Sequence, residues 1–318
     1  MRGAAFFHLR GMSQSDFFGK QPEPEWVVFH DESRCYQEPF LYHGFLFVSR
    51  SSGAALKAEL LQPGEGFANN YSKRIHFKEL TGLGTERGKI ALRWVQLAKS
   101  KWLPRGSIRF YCLGVNLSNI NLALYRDSGL FGPSLPRKGD RVYRRFYEIG
   151  LRSALAWFEI PERVTHLYFD KGKQDIDRFN RSLSVCGSDT KVRPLENDCV
   201  ASGKDLSKCL QLTDVLLGTV RRSFATVVPG AQSACIETFR DVLEPFLDES
   251  TAYKWDSGYY KKFCVAFFPS HNRITPAEFF DRDPEYHRKA KSLFYCNRKT
   301  HRQREEEQEQ LQLWEKRS

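Results

Sequence analysis

The sequence predicts a mixed α/β domain, a single β-sheet with helices packed on it, and three observations carry that reading. Two apolar runs rich in β-branched and aromatic residues stand close together, WVVFHDE (26–32) and LYHGFLFVS (41–49), across a turn containing Pro39. Later strands then alternate with amphipathic helices, which is the pattern of a sheet covered by helices. Finally, the 318 residues are 41% hydrophobic and include 25 Phe, 13 Tyr and 6 Trp. That is enough apolar and aromatic matter for a sizeable core, and it excludes wholesale disorder.

The elements follow in order. The first two strands read as a hairpin, because Glu38-Pro39 cannot continue a helix. SGAALKAELLQ (52–62) reads as a short helix with Ser51 or Ser52 as N-cap. PGEGFANNYSKR is loop and leads into IHFKEL (75–80). A helix from about Thr85 to Lys101 carries Ile90, Leu92, Trp94, Val95 and Leu97, and Pro104 stops it. IRFYCLGVN (108–116) is a third strand, and GLFGPSLPRKGD (129–140) is Gly/Pro-rich loop. A long amphipathic helix then runs from Asp140 to Pro161, and VTHLYFD (164–170) is a strong strand. KQDIDRFNRSLSV reads as helix, TKVRPLE as strand, LSKCLQLTDVLLGTVRRSF as the clearest helix, ETFRDVLEPFL as helix and KKFCVAFF as a late strand.

Composition narrows the function classes. Lys and Arg outnumber Asp and Glu by 49 to 38, a formal charge of +11, which favours a polyanionic partner, nucleic acid before membrane. No apolar run approaches the roughly 18 residues of a membrane span. MRGAAFFHLRG is too short and too broken by His8 and Arg10 for a signal peptide, and Met12 offers an alternative start. Eight cysteines without a CxxC or CxxxH pair argue against structural zinc and for reduced thiols in a cytoplasm. From about residue 284 the chain turns to charge runs, RKAK, RKTHRQR and EEEQEQ, a tail that is either a solvated helix or a partner-binding arm. The expected organisation is an N-terminal extension (1–24), a domain (25–283) with an insertion at about 117–145, and a charged tail (284–318).

Four acids stand in unusual places. Asp31 ends WVVFHD and Asp170 ends VTHLYFD, both apolar strands. Alternation puts Val27, Phe29 and Asp31 on one face, and His166, Tyr168 and Asp170 on one face of the other strand. If the strands are parallel neighbours, both carboxylates leave the sheet at one edge, where α/β sheets bind ligands. Taken singly, each Asp reads as a turn starter. Asp214 interrupts LQLTDVLLGTV, where a charge needs compensation, and Gly218 one turn on permits close approach of another backbone or a substrate. Glu79 in IHFKEL joins them. Convergent carboxylates from distant segments are the signature of Mg²⁺ (or Mn²⁺) sites that cut phosphodiesters by two-metal catalysis.

The blocks VVFHDES, HFKEL, LYFD and SKCLQLTDVLLGTV resemble those of the family catalogued as domain of unknown function 3800, across roughly residues 25 to 268. The resemblance implies a ribonuclease H-like fold, a mixed β-sheet flanked by helices. It implies an acid set of Asp31, Glu79, Asp170 and Asp214 acting as catalytic and metal-binding residues, with Glu32 as a further metal ligand and Gln211 in support; alternation points Glu32 to the face opposite Asp31. It also suggests a microbial setting, with a defence effector as one role. Arg34 stands where the family commonly has glycine after its triplet, so it either contacts phosphate or closes the site. Phosphate contacts are further expected from Lys78, Lys171 and Lys173, and from the basic cluster Arg141, Arg144 and Arg145, although each is equally a solvated turn or helix face. TGLGTERGK lacks P-loop spacing. The function expected is a metal-dependent nuclease; the rival is an inactive module of the same fold that binds nucleic acid or protein.

Overall fold

The computed structural model describes residues 25–34, 40–62, 74–117, 141–160, 164–170, 175–195, 206–223, 230–243, 259, 261–270 and 273–276. The expected N-terminal extension, the centre of the expected insertion and the charged tail lie outside them. Seven strands form one mixed sheet: β1 (Trp26–Arg34), β2 (Phe40–Ser49), β3 (Ile108–Asn116), β4 (Val164–Asp170), β5 (Lys191–Leu195), β6 (Phe263–Ser270) and β7 (Arg273–Pro276). Their order is β5-β4-β1-β2-β3-β6-β7. The β1–β2 and β2–β3 pairs are antiparallel, as the hairpin reading requires, while β4 adds parallel to β1 and β5 parallel to β4. On the other side β6 pairs parallel to β3 and β7 antiparallel to β6. Pro194 sits in β5, an outer strand, where a missing N–H is tolerated.

Helices cover both faces. On one lie α3 (Arg141–Phe158) and α4 (Asp175–Cys186). Tyr147 of α3 packs edge-on against His30, and a Cβ at Gly150 would meet Phe45, so this face takes the even-numbered side chains of β1. The other face carries α1 (Gly53–Leu61), α2 (Glu86–Leu97), α5 (Leu206–Arg222) and α6 (Gly230–Leu243). The sheet between them is filled by fully buried rings, among them Trp26, Phe29, Phe45, Phe47 and Phe110, and Trp94 closes the α2 side by donating to the Leu60 carbonyl at 3.2 Å. Each such ring contributes roughly 1.5–3 kcal/mol of apolar burial.

Local chemistry sets the helix ends. Thr85 caps α2 by accepting from the Gly88 N–H at 3.1 Å. Ser52 flanks α1 without a side-chain cap bond. Ala98–Trp102 continues α2 as a π-helical turn, so the predicted helix ends in a wider coil rather than at a regular terminus. Glu159, with φ 57°, takes the left-handed conformation that ends α3 before Pro161.

Candidate functional site

β1 and β4 are parallel neighbours in the register Phe29–Tyr168 and His30–Phe169. Asp31 and Asp170 are the next residue on each strand, so both carboxylates leave the sheet at the same carboxyl edge. The rings of Phe29 and Tyr168 stack at 5.3 Å two residues earlier on the same face, which fixes the side from which the carboxylates project. Asp31 lies directly opposite Gly44 of β2. A Cβ on Gly44 would meet Leu217 of α5 at 3.2 Å, so this is the α5 side of the sheet. Asp31 is 7% exposed, and its Oδ1 accepts from the Glu32 N–H at 2.9 Å.

Helix α5 organises the rest. Asp214, Leu217, Gly218 and Arg221 follow the i, i+3, i+4, i+7 spacing that shares one helix face. Asp214 Oδ2 accepts two hydrogen bonds, from the Phe77 N–H at 2.7 Å and from His76 Nδ1 at 2.6 Å. One turn earlier, Gln211 Oε1 accepts from the Ile75 N–H at 3.1 Å and from Lys208 Nζ at 3.3 Å. Gln232 of α6 donates to the Phe77 carbonyl at 3.0 Å. The segment Ile75–Glu79, whose end is a single 3₁₀ turn (Phe77–Glu79), is therefore latched to α5 and α6 by side chains rather than by a sheet ladder. Gly218 makes the fit possible, because Phe77 occupies the space of its missing side chain. The close approach that its position in the sequence suggests is made by this segment.

Carboxylate and imidazole in the Asp214–His76 pair divide their tasks by exposure. The Asp214 side chain is 11% exposed, while that of His76 retains 21%. With the Phe77 N–H already donating to the same oxygen, a Nδ1–H on His76 completes the pairing and leaves Nε2 as the outer ring nitrogen. At the end of α5, Arg221 Nη1 donates to Ser33 Oγ at 2.6 Å, two residues beyond Asp31. A guanidinium thus stands beside the carboxyl edge of β1.

The remaining candidates are distributed differently. Glu79 is exposed and pairs with Arg87 of α2 at 3.1 Å, and Lys78 beside it is exposed. Glu32 projects to the opposite face from Asp31, because strand side chains alternate. Its carboxylate lies 3.8 Å from His30 Nδ1, and His30 Nε2 lies 3.1 Å from His43 Nδ1 in a buried pair under α3. Arg34 is the last residue of β1, in register with Leu41. Arg141 begins α3, Arg144 is half-buried, and exposed Arg145 pairs with Glu148 at 3.3 Å. That cluster belongs to the face turned away from Asp31 and Asp214. Lys171 and Lys173 lie outside the described residues. The structure thus puts Asp31, Asp170 and Asp214 on one side of the sheet and places Glu32 and the α3 arginines on the other. Among the described residues, no group of three or more His, Cys, Asp and Glu is gathered closely enough to hold a metal ion.

Comparison with protein-family models finds no match for the chain, and comparison with curated proteins finds none either. The resemblance of the four sequence blocks therefore assigns no residue by itself, and the geometry has to carry the functional argument. Among the described residues no helix is long and apolar enough to cross a membrane. Sequence reasoning overlooked Arg221 and Gln232. Arg221 was legible as the residue two turns after Asp214 on the same helix face; Gln232 lies in the first turn of α6, a stretch with no clear apolar period at its start.

Proposed function

We propose that the protein is a divalent-metal-dependent nuclease with a ribonuclease H-like fold. The observation that carries this reading is the shared carboxyl edge of β1 and β4, where Asp31 and Asp170 emerge side by side on the face covered by the helix that bears Asp214. The antiparallel β1–β2–β3 meander, with β4 and β5 added in parallel beside β1, supports the fold assignment by analogy. An all-carboxylate donor set suits Mg²⁺ or Mn²⁺, hard ions that prefer oxygen ligands. Asp31 and Asp170 would hold the ion, with Asp214 contributing from α5. A metal ion held there would supply a hydroxide nucleophile and stabilise the leaving oxygen of the cut phosphodiester.

The chain's own residues have distinct parts in this scheme. Asp214 keeps the His76 ring and the Phe77 backbone against α5, so that His76 is presented at the site with a fixed orientation. Arg221, held by Ser33, offers a guanidinium to a phosphate flanking the carboxylates. The net positive charge of the chain draws a polyanion toward an otherwise acidic edge.

The test is cleavage of RNA and DNA, single- and double-stranded, with and without Mg²⁺ or Mn²⁺. Wild-type protein cleaves at least one of them in a metal-dependent way, and Asp31→Asn abolishes it with the fold intact by circular dichroism. Undiminished cleavage by Asp31→Asn would falsify the assignment. A second reading, a module that binds nucleic acid without cutting, has one specific observation in its favour. Asp214 Oδ2 is already engaged by two donors, the Phe77 N–H and His76 Nδ1. Metal-independent binding with no cleavage of any of these substrates would select it.

A further inference from the structure

The side of the sheet that carries Asp31 and Asp170 continues outward over β4 and β5. The core ends there: Tyr168 is still buried, His166 is half-buried, and the β5 residues beside them are exposed. In β5, Lys191 and Arg193 are exposed while Val192 between them is buried on the side of α4. Lys191 lies opposite His166 of β4, and Arg193 opposite Tyr168. His166 is half-buried and stacks on Tyr168, ring centroids 5.9 Å apart and planes 10° from parallel. Tyr168 in turn stacks on Phe29 of β1 at 5.3 Å and 19°. A row of near-parallel rings therefore crosses the sheet, bordered on its outer side by two cations.

The electrostatics of this strip are positive. Burial, and then the charges of Lys191, Arg193 and Arg50, hold the His166 imidazole below its ordinary value, with Glu25 opposing them. That acid is itself ion-paired to Arg50. An apolar partner would leave Lys191 and Arg193 to be desolvated without compensation. A polyanion with flat, stackable groups meets both features at once, and a single-stranded nucleic acid is the polymer that exposes its base faces.

We propose that the outer side of β4 and β5 is a single-strand nucleic-acid platform, in which Lys191 and Arg193 hold phosphates and His166, backed by Tyr168, stacks on a base. From His166 to Asp170 the strand advances about 13 Å, so a strand bound along it runs on to the acidic edge. The platform rests on the reading of nucleic acid as substrate and adds its class, single-stranded, and its path. It also moves the binding surface from the arginines of α3 to the opposite side of the sheet.

Binding is measured by fluorescence anisotropy without divalent cations, so that nothing is cut. The probes are labelled oligo-uridine and oligo-deoxythymidine of about 16 nucleotides and a duplex of the same length. Wild-type protein binds a single strand more tightly than the duplex. Lys191→Glu/Arg193→Glu weakens this more than tenfold, and the neutral Lys191→Gln/Arg193→Gln pair lowers the salt slope by about 1.4, at about 0.7 per phosphate contact. His166→Ala weakens binding about tenfold with an unchanged slope, a separation that loss of stacking alone produces. Both pairs change exposed side chains, and retained thermal unfolding confirms their fold. Wild-type binding with no effect of these substitutions overturns the platform and leaves the nuclease reading standing. Preference for the duplex overturns the single-strand assignment. No binding of any probe by the wild-type protein overturns the platform together with the substrate reading on which it rests.

Discussion

Gly218→Ala separates helix propensity from packing, because the two predict opposite signs. Inside a helix, alanine is favoured over glycine by about 1 kcal/mol. At this position, however, a Cβ would stand 2.2 Å from Phe77 Cγ, 2.3 Å from Cδ1 and 2.7 Å from Phe77 Cβ. Ordinary carbon contacts lie at about 3.5–4.0 Å, so the segment or the helix must retreat by more than about 1 Å. Phe77 has little room to give. The contacts are at the root of its side chain, and its backbone is tied by the bonds to Asp214 and Gln232. Overpacking of this kind costs about 1–3 kcal/mol or more, and at the upper end it leaves a net loss of about 2 kcal/mol after the propensity gain. Urea unfolding of wild type, Gly218→Ala, Phe77→Ala and the double variant measures it. Phe77→Ala removes the two shortest of the three contacts, so the double variant is more stable than the sum of its parts implies, by about 0.5–3 kcal/mol. A Gly218→Ala protein as stable as wild type, or strictly additive variants, would refute the argument that this glycine exists to seat Phe77.

Two further outcomes follow from charge and burial. Partial burial pulls the Glu148 carboxyl up, but Arg145, Arg152 and Arg181 outweigh it and hold the group below its ordinary value. A depressed carboxylate contributes stability above its unfolded pKa and loses it as pH falls through the folded one. Glu148→Gln therefore costs about 1 kcal/mol at pH 7, since its arginines are partly solvated, and nothing in acid below the lowered value. A gap that persists unchanged through that acid window in urea titrations contradicts this. Cys112, Cys186, Cys209, Cys235 and Cys264 are free and buried, so at most three of the eight thiols react promptly with a thiol reagent before denaturant is added. A prompt count above three places one of these five at the surface.

Periodicity made the sheet largely legible, and tertiary contacts account for what it missed. WVVFHD, LYHGFLFVS, IRFYCLGVN and VTHLYFD announce β1–β4 because half-buried and buried strands need β-branched and aromatic residues in short runs. The start of α6 was harder, since GAQSACI contributes small residues whose value lies in close packing rather than in a strong apolar stripe. β7 is four residues long and has its pattern only through pairing with β6. For the site, alternation correctly put Asp31 and Glu32 on opposite sides and made the neighbouring of Asp31 and Asp170 conditional on parallel pairing, which the structure supplies. What no local pattern carries is the latch. The bonds from Ile75, His76 and Phe77 to α5 span more than 130 residues of sequence.

That latch changes how the acids must be tested. Asp31 and Asp214 were alike as acids in apolar surroundings, yet Asp214 also fastens a distant segment. An asparagine at 214 can set its carbonyl oxygen where Oδ2 stands and still accept from the Phe77 N–H and His76, but without the charge that strengthens both bonds. Hydrogen bonds to a charged group are worth about 1.5–3 kcal/mol, so Asp214→Asn destabilises the fold by about 2 kcal/mol. It therefore lowers activity whether or not Asp214 ever meets a metal ion. Asp31→Asn preserves its oxygen toward the Glu32 N–H, and cleavage is lost because the charge that would hold the ion is gone. Urea unfolding and cleavage of the two variants, measured side by side, distinguish the roles. If Asp214→Asn is as stable as wild type, the latch does not depend on the carboxylate charge. If His76→Ala, which removes one bond of the latch but no carboxylate, retains full cleavage, Asp214 serves the chemistry directly rather than through the imidazole it holds.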